Sequence, residues 1–315
     1  MRIVAVGEIL WDVIGEHEYL GGAPLNVAAH AQTLGHEAFL VSAVGDDDRG
    51  RRTLDCLRQW GLSTEFVQVL HGKDTGTAQV ELDCEGKPTF RIVRPAAYDF
   101  VTLSNDQLLC IAELQPGWIY FGTLYHVSAQ ALASTLRLLQ AAPSARHFYD
   151  VNLREGNWSL ALVEQLSAHA DVIKLSDSEA EFLDGLLNAD GQEGSVEYLC
   201  RRWIDRYGCK TVCVTLGERG CAILDQGTYS ESPGYKVEVA DSVGAGDAFA
   251  AALLHGLEQR WDTRRLARLL RQCRGRPGRK PARRNARLEH RRVLADAGRE
   301  VRHARNVTLQ KINVT

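Results

Sequence analysis

The chain of 315 residues is 45% hydrophobic and 24% charged, with a formal net charge of −3, which is typical of a globular protein and excludes a disordered chain. No run approaches the roughly 18 apolar residues of a membrane-spanning helix, and the first residues predict a strand rather than a basic signal peptide. We therefore expect a cytoplasmic protein with no membrane partner.

Strands and helices alternate from the N-terminus onward. The apolar run at 2–7 predicts a buried first strand, and FLVSAVG at 39–45 predicts the next one. Between them, 24–34 predicts a helix, because Pro24 lies in its first turn and Gly35 just past its end. Strand, helix and strand in succession indicate a parallel, doubly wound core.

A change of pattern after this start predicts a small appendage. Between residues 75 and 94, two extended runs flank the turn-forming CEGK, which indicates a hairpin outside the main sheet. Alternation then resumes as far as a helix at about 245–258, so the whole pattern predicts an α/β fold with a small β appendage. The other predicted strands are 118–124, 147–153, 171–176, 211–217 and 221–225, and the other predicted helices are 128–141, 159–168, 177–187 and 195–207.

A glycine-rich turn gives the strongest chemical signal. The run DSVGAGDAFAAALLHGL at 241–257 leads directly into a helix, and Gly244, Ala245 and Gly246 leave its backbone open to close approach. The first N–H groups of a helix have no intrahelical partner and carry the positive end of its dipole, so they bind anions. Asp247 lies among these donors, where it either caps the helix or accepts a proton from an attacking hydroxyl.

Two separate signatures resemble those of the ribokinase-like (PfkB-type) carbohydrate kinases. One is VGAGDAFAAALLHGL, and the other is LGGAPLNVAAHAQTLG at 20–35. The similarity extends from Met1 to about Leu257, and AVGDDDRGR at 43–51 with PAAYD at 95–99 is most like the fructokinase branch. The resemblance implies a three-layer α/β/α sandwich with a mostly parallel central sheet and a small β-sheet lid.

The resemblance also implies an ATP-dependent sugar kinase that requires Mg²⁺ and favours fructose. Asp247 would be the general base, and the backbone of Gly244, Ala245 and Gly246 would form the anion hole for the transferred phosphoryl group. These roles suit phosphoryl transfer, which depends on alignment and charge stabilisation. A 2-keto-3-deoxygluconate or ribose kinase is the alternative, and a sugar- or nucleotide-binding protein without turnover is an alternative of another class.

The implied sugar site includes Asp12, Gly22 and Asn26, since a carboxylate and an amide can both recognise sugar hydroxyls. Arg154, which follows a strand, matches a position near the sugar. Without the resemblance, Asp12 would be a turn residue, Asn26 a helix-surface amide and Arg154 a partner in a surface ion pair.

A lid formed by about 11–22 and 73–98 would cover this site. Phe90 and Tyr98 would close over the sugar and exclude water, which a kinase must do to suppress ATP hydrolysis. The alternatives for these two rings are packing within the hairpin and contact with a second copy, since the resemblance also allows a homodimer formed through the lid.

The implied nucleotide site involves two later segments. KLSDSEAEF at 174–182 resembles the family's Asn-x-x-Glu stretch, in which the Glu organises Mg²⁺ through water; Glu179 is retained, but Ser176 stands where Asn is usual. An acid in the first turn of a helix is the alternative for Glu179, and a plain hairpin turn is the alternative for TLGERG at 215–220. The residues implied to contact ATP are Lys174, Thr215, Gly217 and Gly220.

The C-terminal segment differs in composition from the rest. From Arg260 onward there are 18 Lys and Arg against 4 Asp and Glu, a charge of +14, whereas the preceding residues carry 19 basic and 36 acidic side chains, a charge of −17. We therefore predict a kinase domain at 1–270 and an atypical Arg-rich segment at 271–315, which is disordered or results from a reading-frame shift near 270–274. A basic tail for nucleic acid or a membrane surface is the rival hypothesis, but nucleic acid is not an expected partner because the segment has no aromatic residue for base stacking.

Overall fold

Two sheets organise the computed structural model, which describes residues 1–82, 88–187, 194–234 and 244–270. In chain order the strands are β1 (Arg2–Val6), β2 (Leu10–Ile14), β3 (His17–Gly21), β4 (Glu37–Gly45), β5 (Val67–Leu70), β6 (Gly76–Leu82), β7 (Pro88–Val93), β8 (Trp118–Gly122), β9 (Arg146–Asp150), β10 (Val172–Ser176), β11 (Thr211–Thr215), β12 (Cys221–Asp225) and β13 (Thr228–Ser232). The helices are α1 (Ala23–Thr33), α2 (Asp48–Gln59), α3 (Asn105–Glu113), α4 (Ala129–Ala141), α5 (Leu160–Ser167), α6 (Asp177–Leu187), α7 (Val196–Tyr207), α8 (Ala245–Glu258) and α9 (Thr263–Leu270).

The larger sheet has the order β13-β12-β11-β10-β9-β8-β1-β4-β5. Every pair from β11 to β5 is parallel, whereas β12 and β13 are antiparallel additions at one edge. Its central strands are buried on both faces, as in β8, where all five residues are enclosed. The predicted α/β fold with a mostly parallel sheet is confirmed, although the β11–β12–β13 meander shows that the order is not βαβ throughout.

Helices cover both faces of this sheet. On one face, apolar side chains of α3, α4, α5, α6 and α7 pack against it in one continuous cluster. On the other face, α1, α8 and α9 pack with the near side of α2 in a second cluster. The result is the expected three-layer sandwich. None of the helices in the described ranges is long and apolar enough to cross a membrane.

The smaller sheet has the order β3-β2-β6-β7 and forms the lid. Its hairpins β2–β3 and β6–β7 are antiparallel and are joined by the parallel pair β2–β6. The buried residues of the lid's own cluster are few: Leu10 and Ala78 pack with Leu124 of the body, and Ile92 is partly buried against them. Among the lid side chains that the structure describes, which exclude those of residues 80–90, the apolar cluster is therefore small.

Helices α1 and α8 lie side by side; one bond joins them directly, and a second joins α8 to His36 in the segment after α1. At what we call the front end, Asn26 Nδ2 donates to Asp247 Oδ2 over 2.7 Å. At the back end, His36 Nε2 and His255 Nδ1 are 2.8 Å apart, and both rings are 7% exposed. Burial lowers the pKa of His36 to about 4 and also lowers that of His255, so the pair is neutral near pH 7.

Candidate active site

The front end of α8 is an open helix start. Gly244 precedes the first turn with a φ of 78°, a left-handed conformation that favours glycine, and no side chain caps the helix. The backbone bond from Ala248 N to Gly244 O, 3.0 Å long, is the first of the helix. The N–H groups before it have no intrahelical partner, and the small residues Ala245 and Gly246 leave them accessible. This is the anion-binding geometry that the glycine-rich turn predicts.

Asp247 lies inside this first turn and is only 9% exposed. Burial raises the pKa of its carboxyl above the ordinary value; the Asn26 hydrogen bond opposes this shift, the charge of Asp150 adds to it, and the charges of Lys174 and Arg154 oppose it. A carboxylate held in place by one amide, with a raised affinity for protons, is suited to accept a proton from a bound hydroxyl. It does not cap the helix by a side-chain bond.

A buried ion pair lies beneath the same helix turn. Lys174 Nζ donates to Asp150 Oδ1 over 2.8 Å, and Tyr120 Oη donates to Asp150 Oδ2 over 3.2 Å. Burial acts to lower the pKa of Lys174, but the Asp150 carboxylate outweighs it and the pKa ends above the ordinary value. A side-chain carbon added at Gly246 would lie 3.7 Å from Lys174 Nζ, so the ammonium group is next to the anion site. Its contact with a nucleotide stays a prediction, and sequence reasoning did not identify Asp150 or Tyr120.

The sugar-side residues come from the lid and from the start of α1. Asp12 lies within β2, opposite Tyr19 of β3 and Ala78 of β6, and therefore in a strand rather than a turn. Gly22 precedes α1 with a φ of 113°, and a side-chain carbon there would be 2.3 Å from Glu8 O, so only glycine fits. Asn26 is not a free surface amide, because it holds Asp247.

Glu8 is a second carboxyl group near this site that sequence reasoning missed. It is 5% exposed, and its Oε1 accepts a hydrogen bond from Ala23 N, 3.2 Å away, at the start of α1. Burial raises its pKa to about 7, while the charge of Arg154 lowers it and that of Asp247 raises it. Arg154 itself is exposed and donates to Leu153 O. An acid at the carboxyl end of a buried parallel strand was the available signal, since Glu8 lies two residues past β1 and Asp150 is the last residue of β9.

The two aromatic residues assigned to the lid occupy different places. Phe90 lies on β7 opposite Val80, but its side chain is outside the described part of the chain, so its role stays a prediction. Tyr98 follows the lid in a short 3₁₀ helix at Ala97–Phe100 and is fully buried in the body. A side-chain carbon at Gly76 would lie 2.5 Å from its ring. Tyr98 thus supports the base of the lid instead of lying on one of its strands.

Glu179 lies in the first turn of α6 and is held by two backbone N–H groups and one hydroxyl. Its Oε1 accepts from Leu153 N over 2.6 Å and its Oε2 from Ser176 N over 2.8 Å, while Ser176 Oγ donates to the same Oε2 over 2.9 Å. Ser176 therefore supplies a local hydrogen bond although it replaces the usual Asn. Among the described residues, no group of three or more His, Cys, Asp and Glu side chains could hold a metal ion directly.

The segment Thr215–Gly220 connects β11 to the antiparallel β12. Thr215 ends β11, and Gly217–Arg219 form a short 3₁₀ helix. Gly220 has a φ of 109°, and a side-chain carbon there would be 1.9 Å from Ser232 O, so this glycine is required by close backbone packing. Contact of Thr215, Gly217 and Gly220 with ATP stays a prediction.

Comparisons with known proteins agree with this geometry. Residues 4–270 match the profile of the pfkB family carbohydrate kinases. The chain is 34% identical to fructokinase-1 of Zea mays over 241 aligned residues. The alignment covers 74% of this chain and 72% of that protein. Among solved structures, a Vibrio cholerae fructokinase bound to fructose, ADP and a calcium ion superposes with a TM-score of 0.68 and 27% identity, covering 81% of this chain and 83% of that one. A Xylella fastidiosa fructokinase with bound ATP has the same fold, with a TM-score of 0.70 at 24% identity over 86% of this chain and 85% of that one. The chain belongs to the pfkB family of carbohydrate kinases.

Proposed function

We propose that this carbohydrate kinase transfers the γ-phosphate of ATP to a hydroxyl of a neutral sugar, with fructose as the first candidate. The observation that carries the proposal is the buried Asp247 carboxylate, set in the open first turn of α8 and bonded over 2.7 Å to Asn26 of the sugar-side helix. One side chain thus lies between an anion site and a predicted sugar site. The similarity to fructokinases supports the choice of sugar.

In the proposed reaction, Asp247 accepts the proton of the attacking hydroxyl as the new oxygen–phosphorus bond forms. The first-turn N–H groups of α8 at Gly244, Ala245 and Gly246 stabilise charge on the transferred group. Asn26 orients the carboxylate and favours its ionised form, because it donates a hydrogen bond to it. Asp12, Gly22 and Asn26 hold the sugar, with Arg154, Phe90 and Tyr98 as further proposed sugar residues.

The proposed nucleotide residues are Lys174, Thr215, Gly217 and Gly220, with Mg²⁺ linked to Glu179 through water. The Glu179 carboxylate fits this role, because the bonds from Leu153 and Ser176 fix its orientation while Oε1, which among the described residues accepts only from Leu153 N, keeps a lone pair for water. Mg²⁺ usually keeps several waters and needs few protein ligands. When bound, the ion would neutralise charge on the phosphates.

An ADP-release assay with Mg·ATP tests the function. Fructose, ribose, 2-keto-3-deoxygluconate and adenosine are the acceptors to compare, and NMR of the product identifies the phosphorylated carbon. Turnover with fructose above the others is expected. Faster turnover with ribose or 2-keto-3-deoxygluconate would show that this sugar, and not fructose, is the substrate. Sugar binding without any ADP release would show that the protein binds sugar but does not phosphorylate it.

Three further points are part of the proposal. The kinase domain would comprise residues 1–270 and act in the cytoplasm. Residues 271–315, including the predicted reading-frame shift, lie outside the described residues, and recovery of an Ala/Gly-rich helix in another reading frame of the gene would support the shift. A homodimer through the lid is testable by light scattering, which would show a mass of one chain if the proposal is wrong.

A further inference from the structure

Helix α2 contacts the lid at three points, beginning with β2. Trp11 of β2 donates its indole N–H to Thr53 Oγ1 over 3.0 Å, and both residues are buried. The guanidinium of Arg52 lies 4.1 Å from the centre of the Trp11 ring, a stacked cation–π contact. Both partners come from the first two turns of α2. The strand that carries Asp12 is therefore fixed to this helix by the residue next to Asp12.

The second point joins β3 to the same helix. Glu18 accepts from Arg49 at distances of 2.6 and 2.9 Å through one oxygen and from Arg52 at 2.6 Å through the other. These hydrogen bonds, first that of Arg52 and then that of Arg49, lower the pKa of Glu18. The Glu18 side chain is 23% exposed, so the two guanidinium groups hold it at the edge of the lid without burying it deeply.

The third point joins the residue before β6 to the start of α2. Asp47 caps the helix by accepting from Gly50 N, and it also accepts from Thr75 N and Thr75 Oγ1, each over 2.7 Å. Thr75 Oγ1 in turn accepts from Gly45 N over 2.9 Å. The chain thus enters the lid from a fixed point on α2. Because β6 pairs with β2 in parallel, this point also sets the position of the strand that carries Asp12.

We propose that the first two turns of α2 form a lid mount, consisting of Asp47, Arg49, Arg52 and Thr53, whose function is to position the lid and so place Asp12 over the sugar. The inference rests on the proposed function. The described side chains of the lid form only a small apolar cluster of their own, while Trp11 and Leu20 are buried in the core of the body, so the placement of the lid depends on contacts made from outside it. Ion pairs near the protein surface add little to the stability of the fold. The Glu18 contacts therefore matter more for the position of the lid than for the fold. The mount residues are positioning residues, not catalytic ones.

Enzyme kinetics on full-length variants test the mount. Glu18→Gln and Thr53→Val each remove one contact, and Glu16→Gln is the matched control, because Glu16 is exposed in the same hairpin. A misplaced lid is expected to raise the KM for the sugar roughly 10-fold, since displacements of about 1 Å can cost up to 100-fold in rate. The KM for ATP should stay within about twofold, and ATP hydrolysis without sugar should increase relative to sugar phosphorylation. A uniform loss of stability with an unchanged sugar KM would overturn the proposal.

Hydrogen exchange measures the same mount without any turnover. Backbone amides of β2 and β3 are expected to exchange about 10-fold faster in the Glu18→Gln/Thr53→Val double variant than in Glu16→Gln, whereas α8 amides should be unchanged. Equal exchange in the lids of both variants would refute the mount. If the wild type phosphorylates no sugar, the proposed function fails, but the exchange result still decides whether α2 holds the lid.

Discussion

At its front end the α1–α8 pair is joined by a hydrogen bond to a carboxylate, and at its back end by a hydrogen bond between two neutral imidazoles. The first bond links the two helices directly, whereas the second links α8 to His36 in the segment that follows α1, and both lie in largely buried surroundings. The front end, however, also collects Lys174, Asp150 and the unpartnered N–H groups of α8, whereas the back end packs against the ring of Trp261.

This difference indicates that the front end takes part in the reaction, whereas the back end stabilises the fold. A buried carboxylate with a raised pKa is costly to fold, and its retention at a helix start is explained by what it can do to a substrate. A neutral pair of rings exchanges no charge with a substrate and serves to keep the helices in register. Changes at the front end should therefore alter rates, and changes at the back end should alter only stability.

The largest effect is expected at Asp247. Asp247→Asn keeps the shape of the side chain but cannot accept the proton, so kcat should fall by about 10²–10⁴-fold. Asp106→Asn, an exposed change in the first turn of α3, is the control and should leave kcat unaltered. Steady-state kinetics at saturating ATP and sugar make the measurement. An Asp247→Asn enzyme with near-normal kcat would refute its role as the base.

Loss of the Asn26 amide should have the next largest effect on the rate. A hydrogen bond to a charged group is worth about 1.5–3 kcal/mol, so Asn26→Ala should lower kcat/KM roughly 10- to 100-fold. Because the amide favours the ionised carboxylate, its removal should raise the pKa of Asp247 further and move the acidic limb of the pH–rate profile to higher pH. Asn105→Ala on α3 is the control. An acidic limb that stays in place would contradict the assignment.

The ion pair beneath the front end should affect stability most when it is broken on one side. Lys174→Met leaves Asp150 buried without its partner and should cost about 3–5 kcal/mol of unfolding free energy. The double variant Asp150→Asn/Lys174→Met removes both charges and retains an acceptor for Tyr120, so it should be far closer to the wild type in stability. Urea denaturation compares them. A double variant as unstable as the single one would show that the charges themselves hold the fold.

A smaller effect is expected from Gly22. Gly22→Ala places a carbon 2.3 Å from Glu8 O at a positive φ and should cost about 1–3 kcal/mol, with a higher KM for the sugar. Gly156→Ala is the matched control, because Gly156 has a φ of 70° with no atom within 4 Å of the added carbon. The control includes the backbone strain but not the clash. Equal costs in thermal unfolding would mean that the contact with Glu8 does not matter.

Protonation of the two histidines at the back end should change the stability of the protein with pH but not its activity. The folded protein keeps the pKa of His36 at about 4, below its ordinary value of 6.5, so the unfolded chain binds more protons between these values. The free energy of unfolding should therefore decrease as pH falls from about 6.5 towards 4. In a His36→Leu/His255→Met variant this slope should be shallower, and in the His17→Gln control it should match the wild type. A change in the pH dependence of kcat would contradict the separation of the two ends.

The sequence predicts best those elements whose signals are local. The glycine-rich start of α8 and the Pro24–Gly35 frame of α1 indicate the two helices directly, because glycine and proline act on the backbone where they stand. The bond between Asn26 and Asp247 spans 221 positions of the chain; the family resemblance assigned the two residues to the sugar and to its proton acceptor, but it did not predict this bond.

Elements that depend on distant contacts were not predicted. Helix α2 was missed because its sequence is mostly polar and buries only Gly50, Thr53 and Leu57. Its helical state is fixed by the Asp47 cap and by the lid strands that pack on it, which no short pattern reveals. The pairing of Lys174 with Asp150 was missed for the same reason, since it forms between neighbouring strands of the folded sheet.

The sparse apolar cluster of the lid has an evolutionary consequence. The buried residues of this cluster are Leu10, Ala78 and Leu124, whereas the two clusters on the large sheet contain most of the core. Apart from Trp11 and Leu20, which are buried in the core of the body, substitutions at the described lid side chains therefore disturb few buried contacts and are tolerated more readily than substitutions in α1 or α8. Selection can change which acceptor is bound by varying lid residues while the phosphate-binding start of α8 stays the same. A fold divided in this way can acquire new substrates while its catalytic groups stay the same.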